Sequence, residues 1–304
     1  MKRVITCLTL GAAVCALASL TQAAGKPTPP APATGRTTVA KVAGDYANPV
    51  TALANLAAWC GTPSASNPCL VKILPGVYNI GSSYLLIPAF VDVEGSGPAV
   101  TKIQGLDTVE FQTEGGKDWY HGVVRLNGGN LRDLTVEALG APYDDPYAIE
   151  VRESACIENV GVIAHESGSA VYLWLRNTNG QIVGNDVVID KVTVSVPAPI
   201  DIAYGIEANR TDSLVVSNSR VEIGACTAPG GCVSVVGISD YNSADGNDVI
   251  RDTFVKSPQY AVGKSTTVTP ALFDVQLVAP TAVENTGFKC YDVVDGSRNP
   301  IACP

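Results

Sequence analysis

Histidine is almost absent from this 304-residue chain, with His121 and His165 the only two. Neither stands at ligand-like spacing from a cysteine, so no zinc site can be written. Basic residues are few as well: 20 lysines and arginines face 29 acids, for a formal charge of −9. That balance argues against nucleic acid and against anionic membrane surfaces as partners. Long apolar runs are missing after residue 20, so no later stretch is long enough to span a bilayer. Helical periodicity is missing too, from about Cys69 onward.

The single apolar run, Val4 to Leu20, follows Lys2 and Arg3 and precedes Thr21 and Ala23, small or polar residues at the −3 and −1 places for cleavage. Residues 1–23 therefore read as an export signal and residues 24–38, rich in Pro, Ala and Thr, as an extended linker. Residues 39–304 form the domain. Cleavage removes two basic residues and no acid, which moves the formal charge from −9 to −11. The mature protein is expected to be secreted or periplasmic, with no membrane span left.

Seven cysteines remain after cleavage. Six make close sequence pairs that would each close a short loop in an oxidising compartment: Cys60 with Cys69, Cys226 with Cys232, and Cys290 with Cys303. Cys156 is left over in "SACIENVGV" and reads as a buried free thiol.

One helix is legible, with Asn48 as its cap, Pro49 in its first position, and Val50, Leu53, Leu56, Ala57 and Trp59 as its apolar stripe. Everything later is short β-branched runs punctuated by Gly, Asn, Asp and Ser. Two phrases recur. "YAIEVRES" (Tyr147 to Ser154) is echoed by "VYLWLRNT" at Val171, "YGIEANRT" at Tyr204 and "VVGISDYNS" at Val235. The second, "LRDLTV", starts at Leu131 and returns as "IENVGV" at Ile157, "IDKVTV" at Ile189, "VSNSRV" at Val216, "IRDTFV" at Ile250 and "LFDVQL" at Leu272. Its intervals of 26, 32, 27, 34 and 22 residues are the irregular period of a coiled β-solenoid with unequal corner loops. Inward positions would stack as an apolar ladder of Ile149, Leu173, Ile206 and Ile238.

The stretch "ILPGVYNIGSSYLLIPAFVDVEGSGPAVTKIQG" (Ile73 to Gly105) resembles the first coils of right-handed parallel β-helix proteins of the pectin-lyase-like superfamily. The form it resembles is that of pectin methylesterases, with Gly76, Val77 and Tyr78 as the "GVY" turn and Val93, Gly95, Gly97, Thr101, Ile103 and Gly105 as the next coil. The resemblance implies an all-β, single-stranded right-handed parallel β-helix of roughly seven or eight coils. Its N-terminus would be capped by the helix and its C-terminus closed by the Cys290–Cys303 loop. The catalytic signatures of the superfamily are absent. Ile80 stands where methylesterases carry Glu, and the motifs of polygalacturonases and pectate lyases have no counterpart. The whole chain is similar to secreted bacterial β-helix proteins without an assigned activity.

Chemistry on a solenoid must come from outward positions. Aligning the first phrase puts Glu150, Trp174, Glu207 and Ser239 in one outward column and Arg152, Arg176, Asn209 and Tyr241 in the next. Aromatics that can stack on sugar rings, with arginines that can hold a carboxylate, suggest a groove for polysaccharide or an envelope glycan: Trp174, Arg152, Arg176, Asn209 and Tyr241. Packing under covering loops accounts for the same residues. Catalysis would fall to Glu150 and Glu207, about 9–10 Å apart across one intervening coil and at the loose end for an inverting hydrolase, or to Tyr241 as a lyase base. No cofactor is required. Asp240, Asp245, Asn247 and Asp248 are oxygen ligands of the kind Ca²⁺ takes, although turn chemistry explains them equally. The leading expectation is non-catalytic polysaccharide binding by a monomer or homotrimer. A lyase or hydrolase in the same groove and a structural spike are the alternatives.

Overall fold

The computed structural model describes residues 38–106, 122–140, 147–165, 168–174, 186–209, 213–240, 248–264, 270–284 and 288–301. Strands pair in parallel into a seventeen-stranded and an eight-stranded sheet. This is a parallel β-helix: each turn of chain adds one strand to the eight-stranded sheet and two to the larger one. The larger sheet runs as two tracks joined at a corner.

The second phrase is the part of each turn that crosses that corner. Its opening residues stack in register as one ladder: Leu131 beside Ile157, Ile157 beside Ile189, Ile189 beside Val216, Val216 beside Ile250 and Ile250 beside Leu272. All are buried, and each fully buried chain of this kind stabilises the fold by roughly 1.5–3 kcal/mol. The third residue of every copy has left-handed backbone: Asp133, Asn159, Lys191, Asn218, Asp252 and Asp274, at φ between 49° and 56°. Asn and Asp tolerate that region better than other non-glycine residues, so the recurring Asp or Asn marks the corner. Neighbouring corners are tied together. Asn159 Nδ2 donates to Asp133 Oδ1 at 2.7 Å, and Asn218 Nδ2 donates to Asp190 Oδ1 at 2.7 Å. Lys191, the exception in type, places its ammonium 3.2 Å from Glu158 and 3.3 Å from Asp190.

The glycine turn "EGSGPA" is likewise a corner. A Cβ on Gly95 would lie 2.1 Å from the Asp133 carbonyl oxygen, so only glycine lets the next turn pass.

The helix is present but broken. Pro49–Ala54 and Leu56–Trp59 are separated at Asn55, whose φ and ψ of −102° and 17° leave the helical region. Asn48 accepts from the Thr51 amide at 2.9 Å, as a cap should. Val50, Leu53, Leu56 and Trp59 pack against the core, and Trp59 Nε1 donates to the Ala52 carbonyl at 2.8 Å. The break follows from Asn55, which turns its amide back to the Thr51 carbonyl.

Two expected disulfides are formed, Cys60–Cys69 and Cys226–Cys232. Cys290 is disulfide-bonded as well, at the C-terminal end; Cys303 lies outside the described residues. The expected free thiol is corrected: Cys156 is buried and disulfide-bonded. A strand-like apolar context reports burial and says nothing about the oxidation state of the sulfur.

Candidate functional site

The eight-stranded sheet carries the described ridge candidates Glu150, Trp174, Glu207, Asn209 and Asp240, with Arg152 just past the end of its third strand. Its strands, in order, are Leu85–Pro88, Val124–Asn127, Tyr147–Val151, Gly168–Trp174, Ile202–Asn209, Ser234–Asp240, Tyr260–Lys264 and Thr281–Val283. Two inward columns hold it to the core. The first is Leu85, Val124, Ile149, Val171, Ile206, Ile238 and Val262. The second, two residues on, includes Ile87, Leu126, Val151, Leu173 and Ala208. Val171, not Leu173, therefore belongs beside Ile149 and Ile206, and Leu173 sits in the second column. "VYLWLRNT" was aligned two residues out of step, an ambiguity inherent in a strand whose two inward columns are both aliphatic.

The correction changes the outward face. Tyr172, not Trp174, stands between Glu150 and Glu207, and Arg125 precedes them. The column reads Leu86, Arg125, Glu150, Tyr172, Glu207, Ser239 and Gly263. Trp174 is in register with Asn209, two residues further along the strands. Arg176 and Tyr241 lie outside the described residues.

Glu150 was expected to face solvent, yet it is 0% exposed. Arg152 Nε donates to one of its oxygens, and Arg125 Nε stands 3.5 Å from the other. Both arginines are themselves buried. One carboxylate held between two guanidiniums satisfies the rule that buried charge must be paired. A fully buried carboxylate held by two buried guanidiniums suits a structural role.

Tyr172 stands beside this network, in register with Glu150. Its ring stacks on Tyr147, with centroids 4.4 Å apart and planes 7° from parallel. Burial first, and then the Glu207 and Glu150 carboxylates, push its phenol well above the ordinary tyrosine range, against Arg152 and a side-chain hydrogen bond with Asn209. It is neutral at any ordinary pH. Glu207 is half-buried and accepts a hydrogen bond from the Ser169 hydroxyl. Glu150 and Glu207 are two strands apart, with Tyr172 between them.

Of the four oxygen ligands named for calcium, Asp240 and Asp248 are among the described residues. Asp240 continues the second inward column, beside Lys264 in the next turn. Asp248 is buried and accepts the Leu214 amide at 2.5 Å, which makes it a backbone cap. Asp245 and Asn247 lie outside the described residues, among which no group of three acids, histidines or cysteines could hold a metal.

Arg125, Tyr147, Ser169 and Tyr172 were missed in the sequence. The signal for Arg125 was present in "VVRLNG" (Val123 to Gly128), a weak further copy of the first phrase. Tyr172 needed only the alternative alignment.

No family model matches the chain, and no curated protein matches it. Solved structures do. A pectin methylesterase mutant in complex with a hexasaccharide superposes with a TM-score of 0.53 at 13% identity, covering 88% of this chain and 91% of that one. Pectin methylesterase PemA from Erwinia chrysanthemi gives 0.52 at 13% identity, over 87% and 90%. The pectin methylesterase from Aspergillus niger gives 0.52 at 13% identity, over 90% and 88%. These neighbours are pectin methylesterases, and the chain shares their parallel β-helix fold.

Proposed function

We propose that this protein binds a polysaccharide along the outward face of the eight-stranded sheet and does not cleave it. The supporting scaffold would be a right-handed β-helix, exported and capped at both ends. The observation that carries the non-catalytic reading is the fate of Glu150: fully buried, doubly paired with arginine, and beside Tyr172 on the next strand. It leaves Glu207 as the single acid of the Glu150–Glu207 pair with access to a ligand, and glycoside hydrolysis requires two carboxyls at set separation. Binding is supported by what remains half-exposed on the face: Glu207, Asn209, Tyr147 and Tyr204 offer hydrogen-bonding groups and rings. Trp174 is in register with Asn209. A neighbour of the same fold holds a hexasaccharide.

The test is retention of the purified protein on neutral and acidic polysaccharides, with reducing and unsaturated chain ends measured in the same incubations. Retention without new ends, weakened in Trp174→Ala and Asn209→Ala, is the expected result. New ends that vanish in Glu207→Gln would overturn it in favour of a hydrolase or lyase.

A further inference from the structure

A third column stands three residues before the ionic one and shares its face, as the Tyr147–Tyr172 stack and the Ser169 hydroxyl bond to Glu207 show. It reads Tyr147, Ser169, Tyr204, Val236, Tyr260 and Thr281, each in register with the next. A tyrosine occurs at every second strand and a small residue between. The three tyrosines are half-buried, whereas Ser169 and Val236 are 1% and 0% exposed.

Packing does not impose this alternation. On the larger sheet Phe273 and Tyr291 occupy consecutive strands in register and stack at 4.6 Å, 5° from parallel. Aromatics one strand apart are therefore accommodated by this fold. Tyrosines two strands apart are separated by about 9–10 Å, twice the strand spacing, and cannot cover one another. What that spacing fits is a partner with the same repeat.

We propose that Tyr147, Tyr204 and Tyr260 form a platform for an extended, flat-ribbon glycan lying across the strands, in which every second sugar ring presents the same face to a tyrosine. β-1,4-Linked pyranose chains have that geometry, because successive rings flip by half a turn and every second ring recurs at roughly 10 Å, close to twice the strand spacing. The acidic formal charge of the chain and the Glu207 carboxylate beside the column favour a neutral glycan over a polyanion. Tyr147 meets the chain at one end, its ring stacked on that of Tyr172 from the intervening strand. The proposal rests on polysaccharide binding by this face and adds the class and repeat of the ligand.

The experiment is calorimetric titration of the full chain with cello-oligosaccharides of one to six rings, and with α-1,4-linked galacturonate oligomers of the same lengths. Three contacts at alternate rings predict affinity that steps up at three and five rings and stays flat between. Tyr204→Ala is expected to weaken the five-ring ligand at least about fivefold, the size of one aromatic contact. Tyr204→Phe should retain binding, because the ring is the contact. Tyr260→Ala, at an end of the platform, should abolish only the last step; it also serves as the second test where Tyr204→Ala fails to fold. Affinity that grows evenly with each ring, or galacturonate bound more tightly than the cello series, overturns the platform while leaving glycan binding intact. Absence of binding to every oligosaccharide and polymer overturns both.

Discussion

The Glu150 network offers the sharpest test of whether this face is built for structure or for chemistry. Glu150→Gln keeps the shape of the side chain and deletes its charge. In the folded protein that leaves Arg152 and Arg125, 6% and 9% exposed, without their shared counter-ion. Removing one partner of a buried pair costs about 3–5 kcal/mol, against about 5–15 kcal/mol for a whole domain. The assay is urea unfolding followed by circular dichroism, read as a fall in midpoint at constant slope. Replacing all three residues by apolar ones of similar size (Arg125→Met, Glu150→Leu, Arg152→Met) should recover most of the loss, since a well-packed apolar core matches or exceeds a buried ion cluster. The midpoint difference between wild type and Glu150→Gln should also persist in 0.5 M salt, because buried pairs are screened little. A loss below about 1 kcal/mol, the size typical of a solvent-exposed pair, would refute the reasoning. It would mean that the carboxylate is wet in solution and available to a substrate.

Three other outcomes follow from the structure. Asn159→Ala should lose more stability than Asn159→Gly in the same urea assay. Alanine at a φ of 52° adds about 1–2 kcal/mol of backbone strain to the lost hydrogen bond with Asp133, and glycine adds none. Glu284 has its carboxyl raised above 4.5 by burial alone, so its stability contribution is complete below its unfolded pKa and is lost as pH rises through the folded one. Glu284→Gln should accordingly raise the thermal midpoint at pH 7 relative to wild type and leave it unchanged near pH 4; the reverse order would show the acid is paired in solution. Replacing both Cys60 and Cys69 by serine opens a loop of sequence separation 9 and should cost about 2–3 kcal/mol by chain entropy, measured against the parent under oxidising conditions.

The inward side of this protein was legible in its sequence. The opening aliphatic of each "LRDLTV"-like phrase is the ladder residue, because burial in a stacked strand demands β-branched or leucine side chains at a fixed place. The Asp or Asn two residues later marks the left-handed corner, because backbone sterics exclude most other types. Both are local demands, met within a few consecutive residues. The outward side obeys no such demand. "VYLWLRNT" fits the neighbouring strands equally well in two alignments differing by two residues, and only stacking in three dimensions chose Val171 over Leu173 and so put Tyr172 rather than Trp174 between the two glutamates. Burial of Glu150 is likewise invisible in "YAIEVRES", since it depends on Arg125 from the previous turn and a tyrosine from the next. Cys156 shows the same division: its strand could be read, but its bonded partner could not. The sequence by itself determined which side chains face the core, because that choice is set by the polarity of each residue. Which outward side chains meet was decided only by the tertiary register, because neighbours on that face come from different turns of the helix.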